Sequence, residues 1–166
     1  MAATTDAQLR YEPLAHAHAD ALVTALADVR VATYIGGPTA TTEQAIRERI
    51  ERVLRGPVEP GEHWLNFVVR RAADGVVIGW LEATVYDDGW AEIAYVFGAP
   101  YWGHGYATEG LHWLIDELGT DEIWAAVHPD NARSIALLLR LGFARRDVPA
   151  RPLGSYDPGD VAFERK

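Results

Sequence analysis

Apolar residues recur every three or four positions in four stretches of the chain, and this spacing predicts four helices. The first covers residues 18–29, with Leu22, Leu26 and Val29 on one face. The second begins after Thr41 or Thr42, both suitable N-caps, and ends at 56–57, a Gly-Pro pair. The third follows a glycine-containing break, and the fourth runs from 130 or 131 to a glycine at 142. The faces expected to be buried are Ala45, Ile46, Ile50, Val53 and Leu54 in the second helix, and Ala107, Leu111, Leu114, Ile115 and Leu118 in the third.

Runs rich in β-branched and aromatic residues predict strands between these helices. A short strand covers 9–14, and an antiparallel meander covers 63–71, 75–86 and 89–97, with tight turns at 73–75 and 87–89. A buried strand at 122–128 follows the third helix, and weaker strands lie at 143–148 and 161–165. A strand–helix–strand unit is parallel by default. The order β-α-α-β-β-β-α-β-α-β-β therefore predicts an α+β fold, a mixed sheet with helices on both faces.

Composition and charge narrow the function classes. The 166 residues are 49% apolar, which favours one domain over 1–166. With no cysteine, the chain has no disulfide, thiolate metal site or cysteine nucleophile. A net charge of −9, with Lys166 as the single lysine, argues against a nucleic-acid partner. The same charge suits a cationic substrate, although it also serves solubility alone.

Three further absences in the sequence shape the expectations. The first 14 residues lack a basic region followed by an apolar block, and no apolar run approaches membrane-spanning length. We therefore expect a cytoplasmic protein without a membrane partner. The six histidines show no pair at metal-ligand spacing, so no metal is expected.

The apolar run at 95–118 is interrupted by Gly98, Pro100, Gly103 and Gly105 before helical periodicity resumes. Glycines let the backbone approach a ligand closely. A helix that begins directly after them directs unpaired N–H groups forward. The break therefore predicts an anion-binding site, although a structural turn before a capped helix has the same glycines.

Two motifs resemble the GNAT superfamily of acetyl-CoA-dependent N-acyltransferases. "WGHGYA" aligns with the signature Q/R-x-x-G-x-G/A, although Trp102 replaces the usual Gln or Arg. "YWGHGYATEG" is similar to the version found in the RimJ/RimL-type branch, the ribosomal-protein N-terminal acetyltransferases. Downstream, N-x-x-S-x-x-x-x-x-x-x-G-F is matched by Asn131, Ser134, Gly142 and Phe143. The resemblance covers roughly residues 7–165. A Rossmann motif fits less well, since Thr108 replaces its third glycine and an antiparallel meander precedes it.

The resemblance implies a GNAT fold with a mainly antiparallel sheet of about six to seven strands, and acetyl-CoA as cosubstrate. It implies that the strand 92–97 diverges from the strand 122–128, so that its edge groups can pair with pantetheine amides. Backbone N–H groups at the start of the third helix would hold the pyrophosphate. The implied cofactor-binding residues are Tyr95, Val96, Phe97, Trp102, Gly103, His104, Gly105, Tyr106, Ala107, Thr108, Asn131 and Ser134.

Acetyl transfer to an amine requires removal of a proton and departure of a thiolate. Glu92 is the first candidate for the base, because an aromatic-walled cleft raises the pKa of a carboxyl group. Glu82 and His128 are the alternatives, and Glu82 could instead form a cross-strand pair. Leu138 occupies the position of the family's usual tyrosine acid, and Ser134 is the candidate donor near the sulfur.

The implied activity is N-acetyl transfer by direct attack of a primary amine on the thioester. The acceptor is a protein N-terminus or a small amine, recognised by residues 27–40 and the loop 146–160. The alternative is a non-catalytic acyl-CoA-binding module or sensor with the same fold. A homodimer is expected from the resemblance alone.

Overall fold

A computed structural model describes residues 7–151 and 153–166. Residues 1–6 of the predicted domain, and Pro152 in the predicted loop, lie outside the described residues. The strands are β1 (Leu9–Pro13), β2 (Glu62–Arg71), β3 (Val77–Tyr86), β4 (Trp90–Phe97), β5 (Glu122–Val127), β6 (Ala144–Arg146) and β7 (Val161–Arg165). The helices are α1 (Ala19–Leu26), α2 (Val29–Ala32), α3 (Glu43–Arg55), α4 (Tyr106–Leu118) and α5 (Ala132–Arg140).

The strands form one sheet in the order β1-β2-β3-β4-β5-β7-β6. Every neighbouring pair is antiparallel except β4 and β5, which are parallel and joined by α4. The predicted α+β fold with a mixed, mainly antiparallel sheet is confirmed. The predicted parallel strand–helix–strand unit is also confirmed.

The parallel pair separates partway along its length. The register joins β4 to β5 only from Trp90 to Glu92. On its other side β4 stays paired with β3 as far as Phe97. Beyond Glu92 the edge of β4 that faces β5 therefore has no strand partner among the described residues, as the resemblance implies.

Alternate side chains of β4 enter two separate cores. Ile93 and Phe97 pack on one face with Leu111 and Leu114 of α4 and Leu138 of α5. On the other face, a second core joins α1 and α3 to the sheet; its buried members include Leu22, Ile46, Ile50, Trp80 and Val96. Helices therefore cover both faces, as predicted.

Three details of the predicted elements are wrong. The helix expected over 18–29 ends at Leu26, because the Asp28 side chain accepts the N–H of Arg30 and starts a new turn. Val29 consequently leaves the buried face and is 70% exposed. Leu54, predicted on the buried face of α3, is the second-last residue of that helix and is 36% exposed. The strand expected over 143–148 covers only Ala144–Arg146, and its register with β7 ends at the pair Arg146–Ala162.

Candidate functional site

A cavity of about 210 Å³ lies where α2, β4, α4 and α5 meet, and we call it the α4 cavity. Eleven of the predicted cofactor-binding residues line it. The exception is His104, which is exposed and lies 5.5 Å from the Tyr106 ring, centroid to centroid. The lining residues are Arg30, Val31, Tyr34, Ile35, Tyr95, Val96, Phe97, Tyr101, Trp102, Gly103, Gly105, Tyr106, Ala107, Thr108, Asn131, Arg133, Ser134, Leu137 and Arg140.

The start of α4 is open toward this cavity. Gly103 and Gly105 have φ angles of +77° and +81°, which only glycine adopts without strain. A Cβ atom added at either glycine would meet nothing within 4 Å. Thr42 and Asn131 cap α3 and α5 with their side chains, whereas no side chain in the described residues caps α4. The first N–H groups of α4 are thus available to a ligand.

Electrostatics give the α4 cavity a positive lining. It carries Arg30, Arg133 and Arg140, and no Asp or Glu of the described residues lines it. This contrasts with the net charge of −9 for the whole chain. These arginines were not predicted from the sequence, although the seven-residue spacing of Arg133 and Arg140 places both on one face of α5. The cavity is suited to an anion.

Trp102 has a structural role where the family signature usually has Gln or Arg. Its indole N–H donates to the carbonyl oxygen of Phe97 at 2.8 Å, which ties the loop to the end of β4. The guanidinium carbon of Arg133 lies 3.6 Å from the centre of the Trp102 ring. The tryptophan therefore supports both the loop and one of the cavity's cations.

Tyr95 and Ser134 form a hydroxyl pair in the α4 cavity. Their oxygens are 2.8 Å apart, and either can be the donor. Asn131 orients the serine, because its Oδ1 accepts the Ser134 N–H at 3.2 Å. Burial raises the pKa of Tyr95 to about 12, against a smaller opposing effect of its hydrogen bond with Ser134. The phenol therefore stays protonated at neutral pH.

A second cavity, of about 550 Å³, lies between α3 and the sheet, and we call it the α3 cavity. Cross-strand neighbours form its floor, because Trp64, Thr84 and Glu92 are in register across β2, β3 and β4. Ile35 lines both cavities. The two cavities also divide β4 between them, with residues 92–94 in one and 95–97 in the other.

Glu92 lies on the floor of the α3 cavity and is 4% exposed. Its Oε2 accepts the Gly154 N–H at 2.7 Å, and its Oε1 accepts the Ser155 N–H at 2.8 Å and the Ser155 hydroxyl. A carboxylate has about four acceptor positions, so one on Oε2 remains. The Glu92 carboxylate therefore anchors the β6–β7 loop while one lone pair is left for a proton.

The other base candidates occupy different surroundings. Glu82 lines the α3 cavity and pairs with Arg49 of α3, so its partner is a helix residue rather than a cross-strand neighbour. His128 is exposed just beyond β5, where its Nδ1 accepts the Asp130 N–H. His128 lies outside the lining of both cavities. Leu138, at the position of the missing tyrosine, is fully buried in the core.

The described residues contain neither a metal-binding cluster nor a membrane-spanning helix. Within residues 7–151 and 153–166, no group of three or more His, Asp or Glu side chains is arranged to hold a metal ion. None of the helices in the described part of the chain is long and apolar enough to cross a bilayer.

Comparisons with known proteins agree with this architecture. Residues 8–144 match the family model described as "Acetyltransferase (GNAT) domain". The chain is 31% identical over 136 residues to the uncharacterized N-acetyltransferase p20 of Bacillus licheniformis, a match that covers 78% of this chain and 75% of p20. 

Solved structures share the fold. A proposed ribosomal-protein-serine acetyltransferase from Vibrio cholerae superposes with a TM-score of 0.71 at 22% identity, over 95% of this chain and 92% of that one. Aminoglycoside acetyltransferase AAC(6')-Ib, solved with coenzyme A, gives a TM-score of 0.72 at 17% identity, over 95% and 94%. With the family model covering most of the sequence, the predicted fold and family are confirmed, and the chain belongs to the GNAT acetyltransferases.

Proposed function

We propose that the protein transfers the acetyl group of acetyl-CoA to a primary amine by direct attack on the thioester, and that it belongs to the RimJ/RimL-like branch. One observation carries the proposal. An open helix N-terminus, a purely cationic set of charged side chains and a strand edge without a partner converge on the α4 cavity. Coenzyme A combines a diphosphate with an amide-containing arm, so its chemistry fits all three features.

The donor's binding groups can be assigned from the lining of the α4 cavity. The N–H groups of residues 105–108, with Arg133 and Arg140 beside them, would hold the phosphates. The free edge of β4 beyond Glu92 would pair with the pantetheine amides. The side chains of Asn131 and Ser134 would contact the arm where it enters between β4 and α5.

Side chains of the protein accept a proton and donate a hydrogen bond at two positions along β4. Acetyl-CoA supplies an activated acetyl thioester. Glu92 accepts a proton from the amine through the lone pair that the loop leaves free, directly or through a water. The amine nitrogen would bond to the acetyl carbon while the carbon–sulfur bond breaks, and the Tyr95–Ser134 pair would donate a hydrogen bond to the thiolate that leaves. Positioning of the two substrates accounts for most of the remaining acceleration.

The α3 cavity is the site for the acceptor amine. It adjoins the α4 cavity at Ile35 and along β4. Residues from both segments expected to recognise the acceptor line it, namely Ile35 and Ala40 from 27–40 and Gly154 and Ser155 from 146–160. The "YWGHGYATEG" segment and the fold shared with the Vibrio cholerae protein support the RimJ/RimL-like branch, for which a protein N-terminus is the acceptor. The fold shared with AAC(6')-Ib makes a small amine the second possibility.

The test is release of free thiol from acetyl-CoA in the presence of primary amines and of peptides with free N-termini. We expect amine-dependent thiol release together with a product heavier than the amine by one acetyl group, detected by mass spectrometry. Binding of acetyl-CoA without thiol release from any amine would instead favour a non-catalytic acyl-CoA sensor.

A further inference from the structure

The wall of the α3 cavity contains an arginine, Arg52, that forms no ion pair with a carboxylate of the described residues, although Glu48 lies one turn earlier on α3 and lines the same cavity. Arg49 and Arg52 lie about one turn apart on α3, and both line the cavity. Arg49 is paired with Glu82 on the cavity floor and lies 4.9 Å from the centre of the Trp80 ring. The ion pairs of the α3 arginines involve Arg47 and Arg49, and Arg52 has none within the described ranges. Its guanidinium is available to a ligand.

The α4 cavity gives a comparison within the same molecule. Arg133 and Arg140 also lack a carboxylate partner among the residues described, and they line the cavity assigned to the anionic donor. The chain has 24 acidic and 15 basic residues, so carboxylates outnumber the arginines available to pair with them. Four other arginines also have no carboxylate partner among the described residues, but they line neither cavity: Arg10, Arg55, Arg145 and Arg165. What distinguishes Arg52 is its position in a cavity lining, and this position indicates an anionic group on the ligand.

The floor of the α3 cavity adds a hydrogen-bond donor, the amide of Asn66, and a negative charge, the carboxylate of Glu92. The Oδ1 of Asn66 accepts the Trp80 indole N–H at 3.0 Å, which orients its amide and leaves the NH₂ group as a donor. The buried carboxylate of Glu92 lies on β4, the strand shared with the α4 cavity. The α3 cavity thus offers a carboxylate for an amine and a guanidinium for an anion. The charged lining also includes Glu48, while Arg49 and Glu82 pair with each other. A purely cationic acceptor would find carboxylates but would leave the Arg52 guanidinium without an anionic partner.

Building on the proposed function, we propose that the acceptor is an amine carrying an anionic group, a carboxylate or a phosphate, on the same molecule. Arg52 binds that group with one or two charge-assisted hydrogen bonds, while the amine faces Glu92 at the other side of the cavity floor. Arg52 is thus a specificity-determining residue. It selects among amines and takes no part in proton transfer.

Matched pairs of amines test this proposal directly. Thiol release from acetyl-CoA is measured with tyramine and tyrosine, ethanolamine and O-phosphoethanolamine, and glucosamine and glucosamine 6-phosphate. We expect kcat/KM for the anionic member to exceed that of its partner by about tenfold or more in at least one pair, the size of effect given by hydrogen bonds to a charged group. The tyramine and tyrosine pair tests a carboxylate as the anionic group, and the other two pairs test a phosphate. Arg52→Gln should lower the ratio of kcat/KM for the anionic member to kcat/KM for its non-anionic partner by about the same factor.

Arg55→Gln is the matched control, because Arg55 ends α3, is exposed and lies outside the cavity lining. It should leave the ratio unchanged. Preference for the non-anionic member in all three pairs, or a ratio that Arg52→Gln does not alter, would overturn the proposal.

If acetyl-CoA binds and no amine releases thiol, the proposed function fails. Calorimetry on the CoA-loaded protein then decides whether the α3 cavity binds an anionic amine. Binding of an anionic amine that weakens in Arg52→Gln supports the anion site, and no binding refutes it.

Discussion

The hydroxyl of Tyr95 on β4 lies 2.8 Å from the hydroxyl of Ser134 on α5, and both line the α4 cavity. Two hydroxyls carry two protons, and their mutual hydrogen bond uses one of them. Whichever group donates internally, one proton remains for a ligand. The pair therefore supplies a donor in a chain whose usual tyrosine position is occupied by the buried Leu138.

Loss of either hydroxyl should slow turnover. We expect Tyr95→Phe and Ser134→Ala each to lower kcat by about tenfold, with little change in the KM for the amine, since a donor to the departing group acts mainly in the transition state. The double variant should lose hardly more than the worse single one, because the pair acts as a unit. Tyr11→Phe is the control, because it removes a buried hydroxyl that has no partner among the described residues. Additive losses in the double variant would show that the two hydroxyls act separately.

The raised pKa of Tyr95 also predicts an alkaline effect on stability. The folded pKa is about 12, against about 10 for an unfolded tyrosine, so the folded state keeps the proton longer. The stabilisation is fully present below pH 10 and is lost as the pH rises toward 12, at about 1.4 kcal/mol per pH unit for one proton. Denaturant unfolding between pH 9 and 11.5 should therefore show a shallower decline for Tyr95→Phe than for the wild type. Parallel declines would contradict the assignment.

Glu92 is predicted to have two separable roles. Glu92→Gln removes the proton acceptor, so kcat should fall by about a hundredfold or more. It also replaces one carboxylate oxygen by an NH₂ group that cannot accept an amide N–H, so the KM for the amine should rise. Ser155→Ala removes one donor to the carboxylate and should affect the KM alone.

Glu164→Gln is the matched control for burial, because Glu164 is 7% exposed on β7 and lies outside both cavities. A Glu92→Gln enzyme with wild-type kcat and a raised KM would leave Glu92 as a loop anchor only.

Gly105→Val should weaken coenzyme A binding by about tenfold or more, because a side chain there projects into the open space before α4 and hinders backbone contact with the phosphates. Gly119→Val at the other end of α4 is the control, since both glycines have positive φ and both variants carry similar strain, about 1–2 kcal/mol. We expect similar losses of stability in the two variants, and a loss of affinity by calorimetry only at Gly105. Equal affinities would remove the phosphate role from this turn.

The sequence predicts the sheet and the start of α4 well, because both depend on local signals. Val161–Arg165 has the predicted bounds, and α4 begins where the glycine-containing break ends. The split between α1 and α2 is missed because Val29 continues the apolar spacing, while the cap made by Asp28 depends on a side-chain conformation that spacing does not encode.

The contacts around the α3 cavity could not be predicted, because they join residues far apart in the chain. Glu92 meets Gly154 and Ser155 across 62 and 63 residues, and no motif marks either partner. The pairing of Arg49 with Glu82 likewise depends on how α3 lies on the sheet. From the sequence, the family resemblance predicted only which segments recognise the acceptor, namely 27–40 and 146–160.

A crystal structure of the protein with coenzyme A is the decisive experiment for the phosphate site at the start of α4. We expect the diphosphate oxygens within hydrogen-bond distance of the N–H groups of Gly105, Tyr106 and Ala107, with Arg133 or Arg140 beside them. A diphosphate bound elsewhere, or main-chain nitrogens at the head of α4 that contact only water or protein, would contradict it.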